Sequence, residues 1–143
     1  MRKLNEVCGA VREKRPLIHC ITNPISINQC ANAILAAGAR PIMAEHPAEV
    51  KEITETADAL MLNLGSITDA RMQSMEISLR AATEKGIPVV LDVVGTACST
   101  LRREFAARLL LICGLPGDTI MGIKQRSPVP CQNGCNWFPA SRR

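Results

Sequence analysis

Amides, two histidines, a methionine and an aspartate stand where this sequence could do chemistry. The stretch PLIHCITNPISINQCANAILAAGARPIMAEHPAEV, residues 16–50, carries Asn23, Asn28 and Asn32 at short spacing. An asparagine amide donates and accepts at once, so it suits a ligand hydroxyl or ring nitrogen. Asn23 precedes a proline, which biases its backbone toward extended geometry. Two readings of Asn23 stay open from the residues: a ligand contact, or a turn asparagine tying down its own backbone. Asn28 and Asn32 are four apart and share a helix face. They read as structural amides bonded to neighbouring backbone.

Met43 follows a short apolar segment. There a flexible side chain either covers a small ring or packs in the core, and packing is the simpler account. His19 lies inside an apolar run and reads as a satisfied core histidine. His46 precedes Pro47 at a helix start, where a general base would lack a local partner. Asp92 closes the run PVVLD. A carboxylate there faces a metal, a phosphate or a substrate hydroxyl, or else caps the following loop. Neither GxGxxG nor GxxxxGK[ST] occurs, so both phosphate-binding fingerprints are absent. Arg102, Arg103 and Arg108 read as a solvated helix face. Seven cysteines without a CxxC read as reduced thiols, several of them buried. Cys131 and Cys135 are a weak zinc pair, far in sequence from either histidine.

The elements that must position these residues follow from hydrophobic spacing. Helices are predicted over residues 3–14, 27–38, 46–57, 67–86 and 99–112. Apolar runs of strand length precede or separate them: PLIHCIT, RPIMA, ALMLNLG and IPVVLDVVG. Ser26 reads as a helix cap and Gly38 as a stop. Ile27, Ala31, Ile34 and Leu35 share one face of the second helix, and Met72, Met75 and Leu79 one face of the fourth. Strands alternating with helices predict an α/β domain with a parallel sheet. Ligands then bind beyond the carboxyl ends of the strands. Thr22 and Asn23, Met43 to His46, Asn63 and Gly65, and Asp92 and Gly95 all fall there.

Composition narrows the function classes. The chain has 143 residues, 47% apolar but only 2% aromatic, so its core must be aliphatic. No apolar run reaches the roughly 18 residues of a membrane helix, and no secretory signal opens the chain. A cytoplasmic location without membrane contact is therefore expected. The net charge is +4, yet from Ile123 onward there are four basic residues and no acids. The remainder holds 13 of each sign, which excludes a basic nucleic-acid groove.

With these residues in view, the segments PLIHCITNPISINQCANAILAAGARPIMAEHPAEV, ADALMLNLGSI and GIPVVLDVVG resemble the first half of the hydroxyethylthiazole kinase family. The combination T-N-x-x-x-x-N-x-x-A-N is the most specific part. The resemblance runs from about residue 3 to about 122. It implies a ribokinase-like layered parallel sheet with flanking helices, here incomplete, and a homotrimer. It also implies ATP-dependent phosphorylation of the primary alcohol of 4-methyl-5-(2-hydroxyethyl)thiazole, with Mg2+, in thiamine salvage. By position Met43 is the substrate-contacting methionine and Asn23 a pocket neighbour. Asp92 lies near the phosphates and metal. Met121 stands where the family has an ATP-contacting basic residue. The catalytic residues are expected in a half of the family pattern that this sequence lacks.

After Gly122 the pattern breaks. Ile123 replaces the family's asparagine, and no acid follows. The expected organisation is residues 1–122 as the N-terminal part of a kinase domain and 123–143 as an atypical, disordered tail. A shift of reading frame near residue 122 would produce it. Such a chain is expected to be inactive. The alternative is a non-catalytic thiazole-binding fragment or structural remnant.

Overall fold

The computed structural model describes residues 2–113 and 120–124. Helix α1 (Arg2–Lys14) leads into strand β1 (Leu17–Ile21), α2 (Ile27–Ala37), β2 (Arg40–Ile42) and α3 (Val50–Thr56). Then come β3 (Ala59–Asn63), α4 (Asp69–Lys85), β4 (Val89–Asp92), α5 (Thr100–Ile112) and β5 (Ile120–Lys124). The strands form one sheet in the order β2-β1-β3-β4-β5, and every pairing is parallel. The α/β reading holds, and the expected elements return within a few residues at most ends.

The strand order decides where a ligand can bind. The connection from β1 through α2 to β2 runs one way, and every later connection runs the other. Right-handed crossovers therefore place α2 on the opposite face from α3, α4 and α5. The winding reverses at β1, so the sheet splays open at the carboxyl ends of β1 and β3. Asn23 lies just past the first of those ends and Asn63 forms the second.

The core lies on the α3–α4–α5 face. Ile21, Leu60, Leu62, Leu64, Val89 and Leu91 point there and meet Met75, Leu79, Phe105 and Leu109. Met75 and Leu79 lie on the buried face expected of α4, with Met72 partly buried beside them. Among the described residues the opposite face is thinly covered. Val90, between two fully buried neighbours, is 44% exposed. Helix α2 packs on β2 and α1, yet none of its residues is buried. The apolar face expected over Ile27, Ala31, Ile34 and Leu35 is thus not sunk in a core, because no further layer lies over it among the described residues.

Three local expectations are corrected. Ser26 precedes α2 but makes no side-chain cap. Its hydroxyl bonds Thr22 Oγ1 at 2.8 Å, while Asn23 Oδ1 takes the backbone N–H groups of Ile25 and Ser26, each at 3.1 Å. Helix α3 starts at Val50 rather than His46. The His46 carbonyl accepts from the N–H of Glu49 and Val50, closing a turn that delays the helix. Asn28 and Asn32 are exposed and bond each other instead of neighbouring backbone.

His19 is fully buried, as expected of a core histidine. Its Nε2 lies 2.9 Å from the Ala44 carbonyl and its Nδ1 2.9 Å from Thr54 Oγ1. A carbonyl only accepts, so Nε2 bears the proton of the neutral ring. Burial lowers the pKa, against smaller opposing effects of the Ala44 carbonyl and Glu49. An unfolded histidine titrates near 6.5, so as pH falls the unfolded chain binds this proton first. The neutral ring's contribution is whole above about pH 6.5, is lost as pH falls below it, and levels off beneath the lowered folded value. Urea midpoints measured from pH 7.5 to 5 are expected to fall in this window. His19→Gln should flatten that part of the profile. Each tenfold difference in proton affinity between the folded and unfolded chain is worth about 1.4 kcal/mol. An unchanged slope in the variant would exclude His19 as its source.

Candidate functional site at the carboxyl edge of the sheet

β1 and β3 pair with Ile21 beside Leu62, and β3 and β4 with Asn63 beside Asp92. The residues at or just past the three strand ends therefore stand in a row. Asn23 Nδ2 donates to Asn63 Oδ1 at 3.3 Å, and Asn63 Nδ2 donates to Asp92 Oδ2 at 3.1 Å. Asn63 Oδ1 also accepts the Gly65 N–H at 2.7 Å. That bond fixes the orientation of the Asn63 amide, since an N–H can only meet the oxygen. Asn23 acts as the turn asparagine, and the same side chain also bonds a neighbouring strand end. Its oxygen ties down its own turn, and its nitrogen reaches across the edge.

Gly65 is required by this close approach. A Cβ there would lie 2.7 Å from Asn23 Nδ2 and 2.8 Å from Asn63 Oδ1. At the far end of the row, Asp92 Oδ1 is buried and has no hydrogen-bond partner among the described residues. A buried anionic oxygen without a donor is costly, so the position calls for a cation or a donor.

Met43 follows β2 and is partly buried. Its loop is anchored at each following residue. His19 holds the Ala44 carbonyl, Ser74 Oγ donates to the Glu45 carbonyl at 2.7 Å, and Arg71 Nε meets Glu45 Oε2 at 2.9 Å. Met43 thus lies past β2, on the far side of β1 from Asn63 and Asp92.

On the other flank, the loop 93–99 after β4 is gripped by α5. Arg102 donates to the Val94 carbonyl at 3.2 Å, and Arg103 to the Thr96 carbonyl at 3.1 Å. Arg108 bonds Glu76 at 2.9 Å and lies over the Phe105 ring. Arg108 stays exposed, as a solvated face predicts, whereas Arg102 and Arg103 are structural fasteners. Spacing alone hid this, because their partners are mostly carbonyls, which any residue supplies.

Met121 falls in β5 at a register shift, for Val89 pairs with Ile120 and Val90 with Gly122. The β5 residue level with Asp92 is Lys124. Strand β5 thus runs past the boundary read at residue 122. The rest of the tail, with Cys131 and Cys135, lies outside the described residues. Cys20 is buried, and burial, with Cys30 nearby, pushes its thiol up to about 12. Among the described residues no group of three or more His, Cys, Asp or Glu is placed to hold a metal. Nor is any helix long and apolar enough to cross a membrane.

Comparison with known proteins supplies the context for this edge. The sequence profile of the Hydroxyethylthiazole kinase family matches residues 8–122. Hydroxyethylthiazole kinase 2 of Clostridium botulinum strain Okra is 60% identical over 108 residues, which cover 76% of this chain and 41% of that protein. The hydroxyethylthiazole kinase of Finegoldia magna is 44% identical over 110 residues, 77% of this chain and 41% of its own. The solved hydroxyethylthiazole kinase protein from Pyrococcus horikoshii aligns with a TM-score of 0.76 at 38% identity, covering 79% of this chain and 44% of that one. The chain spans less than half the length of these relatives. The fold and a profile match over residues 8–122 agree: the chain belongs to the hydroxyethylthiazole kinase family.

Proposed function

We propose that this chain carries the alcohol-binding part of a hydroxyethylthiazole kinase site. The observation that carries the reading is the row Asn23–Asn63–Asp92, ending in a buried carboxylate oxygen that is unpartnered among the described residues. In this reading Met43 covers one face of the thiazole ring and Asn23 lies beside it. Residues 1–122 form the N-terminal part of the kinase domain, three copies associate, and ATP is the phosphoryl donor.

Asp92 is the residue that would hold a magnesium ion, and its orphaned oxygen fits one. Mg2+ binds through one or two carboxylates and keeps its other positions for water and phosphate oxygens, so a single aspartate suffices on the protein side. When bound, the ion would neutralise charge on the transferring phosphate. The chain's own residues do the positioning. Asn63 holds Asp92 by its amide N–H, and Gly65 leaves room for the two amides. The turn around Asn23 fixes the end of β1. Met121 brings no charge to a phosphate, since a thioether accepts only weakly and donates nothing.

Titration of isotopically labelled protein with the thiazole alcohol tests this reading. Saturable shifts at Met43, Asn23 and Gly65 are expected. ATP-dependent phosphorylation of the alcohol by this chain alone is expected to be absent, because Met121, standing where the family has an ATP-contacting basic residue, cannot pair with a phosphate charge. No response at those three residues at millimolar ligand would exclude the site, and turnover in a clean preparation would exclude the second expectation.

A further inference from the structure

Arg71 is the third residue of α4, and its side chain is only 7% exposed. Buried arginines are uncommon and are held by specific partners. Here the partners lie on two different loops. Nε meets Glu45 Oε2 at 2.9 Å in the loop after β2, and the other arm donates to the Ser66 carbonyl at 2.5 Å in the loop after β3. In the sheet β1 lies between these two strands. One planar guanidinium therefore spans the crevice at the end of β1.

Both loops lead straight into the candidate site. Glu45 is two residues from Met43. Ser66 follows Gly65, which bonds Asn63 and leaves the space that Asn23 Nδ2 needs. Ser66 also holds a left-handed backbone, φ 48°, which a serine adopts rarely. Such a conformation persists only where neighbours over-determine it, and the Arg71 bond to its carbonyl does so.

We propose that Arg71 is a positioning residue that sets the spacing between the Met43 loop and the Asn23–Asn63 amides by tying Glu45 and Ser66 to one rigid fork. The proposal rests on the reading of this edge as the alcohol-binding site. Arg71 touches neither ligand nor reacting atoms in it. Lysine is a poor substitute, because an ammonium is a point charge and lacks the planar fork.

The test uses the full chain, with methyl-labelled methionine, labelled amides and the thiazole alcohol as probe. Arg71→Met is expected to move the Met43 methyl and the Gly65 amide resonances together and to weaken binding about tenfold, the scale of losing one charge-assisted bond. Arg71→Lys should recover only part of this. Glu45→Ala, at a half-exposed position, should move Met43 while leaving Gly65 in place. If Arg71→Met does not fold, Glu45→Ala decides, and an unmoved Met43 methyl overturns the proposal. So does a folded Arg71→Met protein in which both signals stay at their wild-type positions. Wild-type protein that fails to bind the alcohol overturns the thiazole reading instead, and the two resonances still decide the role of Arg71.

Discussion

Asp92→Asn is expected to stabilise the fold slightly and, under the proposed reading of Asp92 as the magnesium-holding residue, to weaken binding of magnesium nucleotide. Two oxygens of one carboxylate lead to these opposite effects. Oδ2 accepts from Asn63 Nδ2 at 3.1 Å, and an asparagine can keep that bond through its own carbonyl oxygen. Oδ1 is buried without a partner among the described residues. An uncompensated buried charge costs more than an uncompensated amide. Removing the charge should therefore raise stability by about 1 kcal/mol, or roughly 3 °C in Tm for a chain of this size. The same change removes the only charge in the row, and magnesium-dependent nucleotide binding should fall by about two orders of magnitude, as expected when several kcal/mol of charge neutralisation is lost. Calorimetry with Mg2+ and ATP, beside a thermal melt of each protein, reads both effects. A lower Tm with unchanged binding would make Asp92 an ordinary loop cap and remove it from the site.

Much of this architecture was legible because the local signals and the fold agree. Gly38 takes φ 96° at the end of α2, the left-handed stop that its position announced. The run VVLD reads as a strand and is one, with Asp92 at its edge. Other features depend on atoms that a sequence does not place. The partners of Arg71, Arg102 and Arg103 include backbone carbonyls, which carry no residue signature. Asn63 was visible as an edge polar residue. Its role as the link between Asn23 and Asp92 needed the register that sets β1, β3 and β4 side by side. Ser26 looked like a cap by type and position, but its hydroxyl turns back to Thr22 Oγ1 and the Asn23 carbonyl instead of the helix. Unbroken apolar runs such as VVLD predict strands covered on both faces, whereas Val90 is half-exposed here. The sequence is written for a sheet with two covering layers, and the described residues supply one of them in full.

Among the described residues the α3–α4–α5 face holds most of the core, which makes its packing decisive. Phe105→Ala is expected to cost about 3–5 kcal/mol, the usual range for a fully buried phenylalanine. Phe105 is 1% exposed and is the largest fully buried side chain among the described residues. The surrounding core is aliphatic, from Leu60, Leu62, Met75 and Leu79 to Leu91 and Leu109, and close-packed aliphatic side chains collapse only partly into a cavity. The ring also anchors α5, whose buried residues are Phe105, Ala106 and Leu109, with Leu110 and Ile112 packed partly buried beside them. Losing it frees the helix whose Arg102 and Arg103 grip the loop after Asp92. A domain of this size holds only about 5–15 kcal/mol in total, so the substitution consumes roughly a fifth of its stability or more. Phe105→Leu keeps most of the apolar volume and should cost about 1–1.5 kcal/mol. Urea unfolding of the three proteins separates the cases. A loss under about 1 kcal/mol for the alanine variant, with an unchanged m-value, would mean that α5 is not held by this face of the sheet.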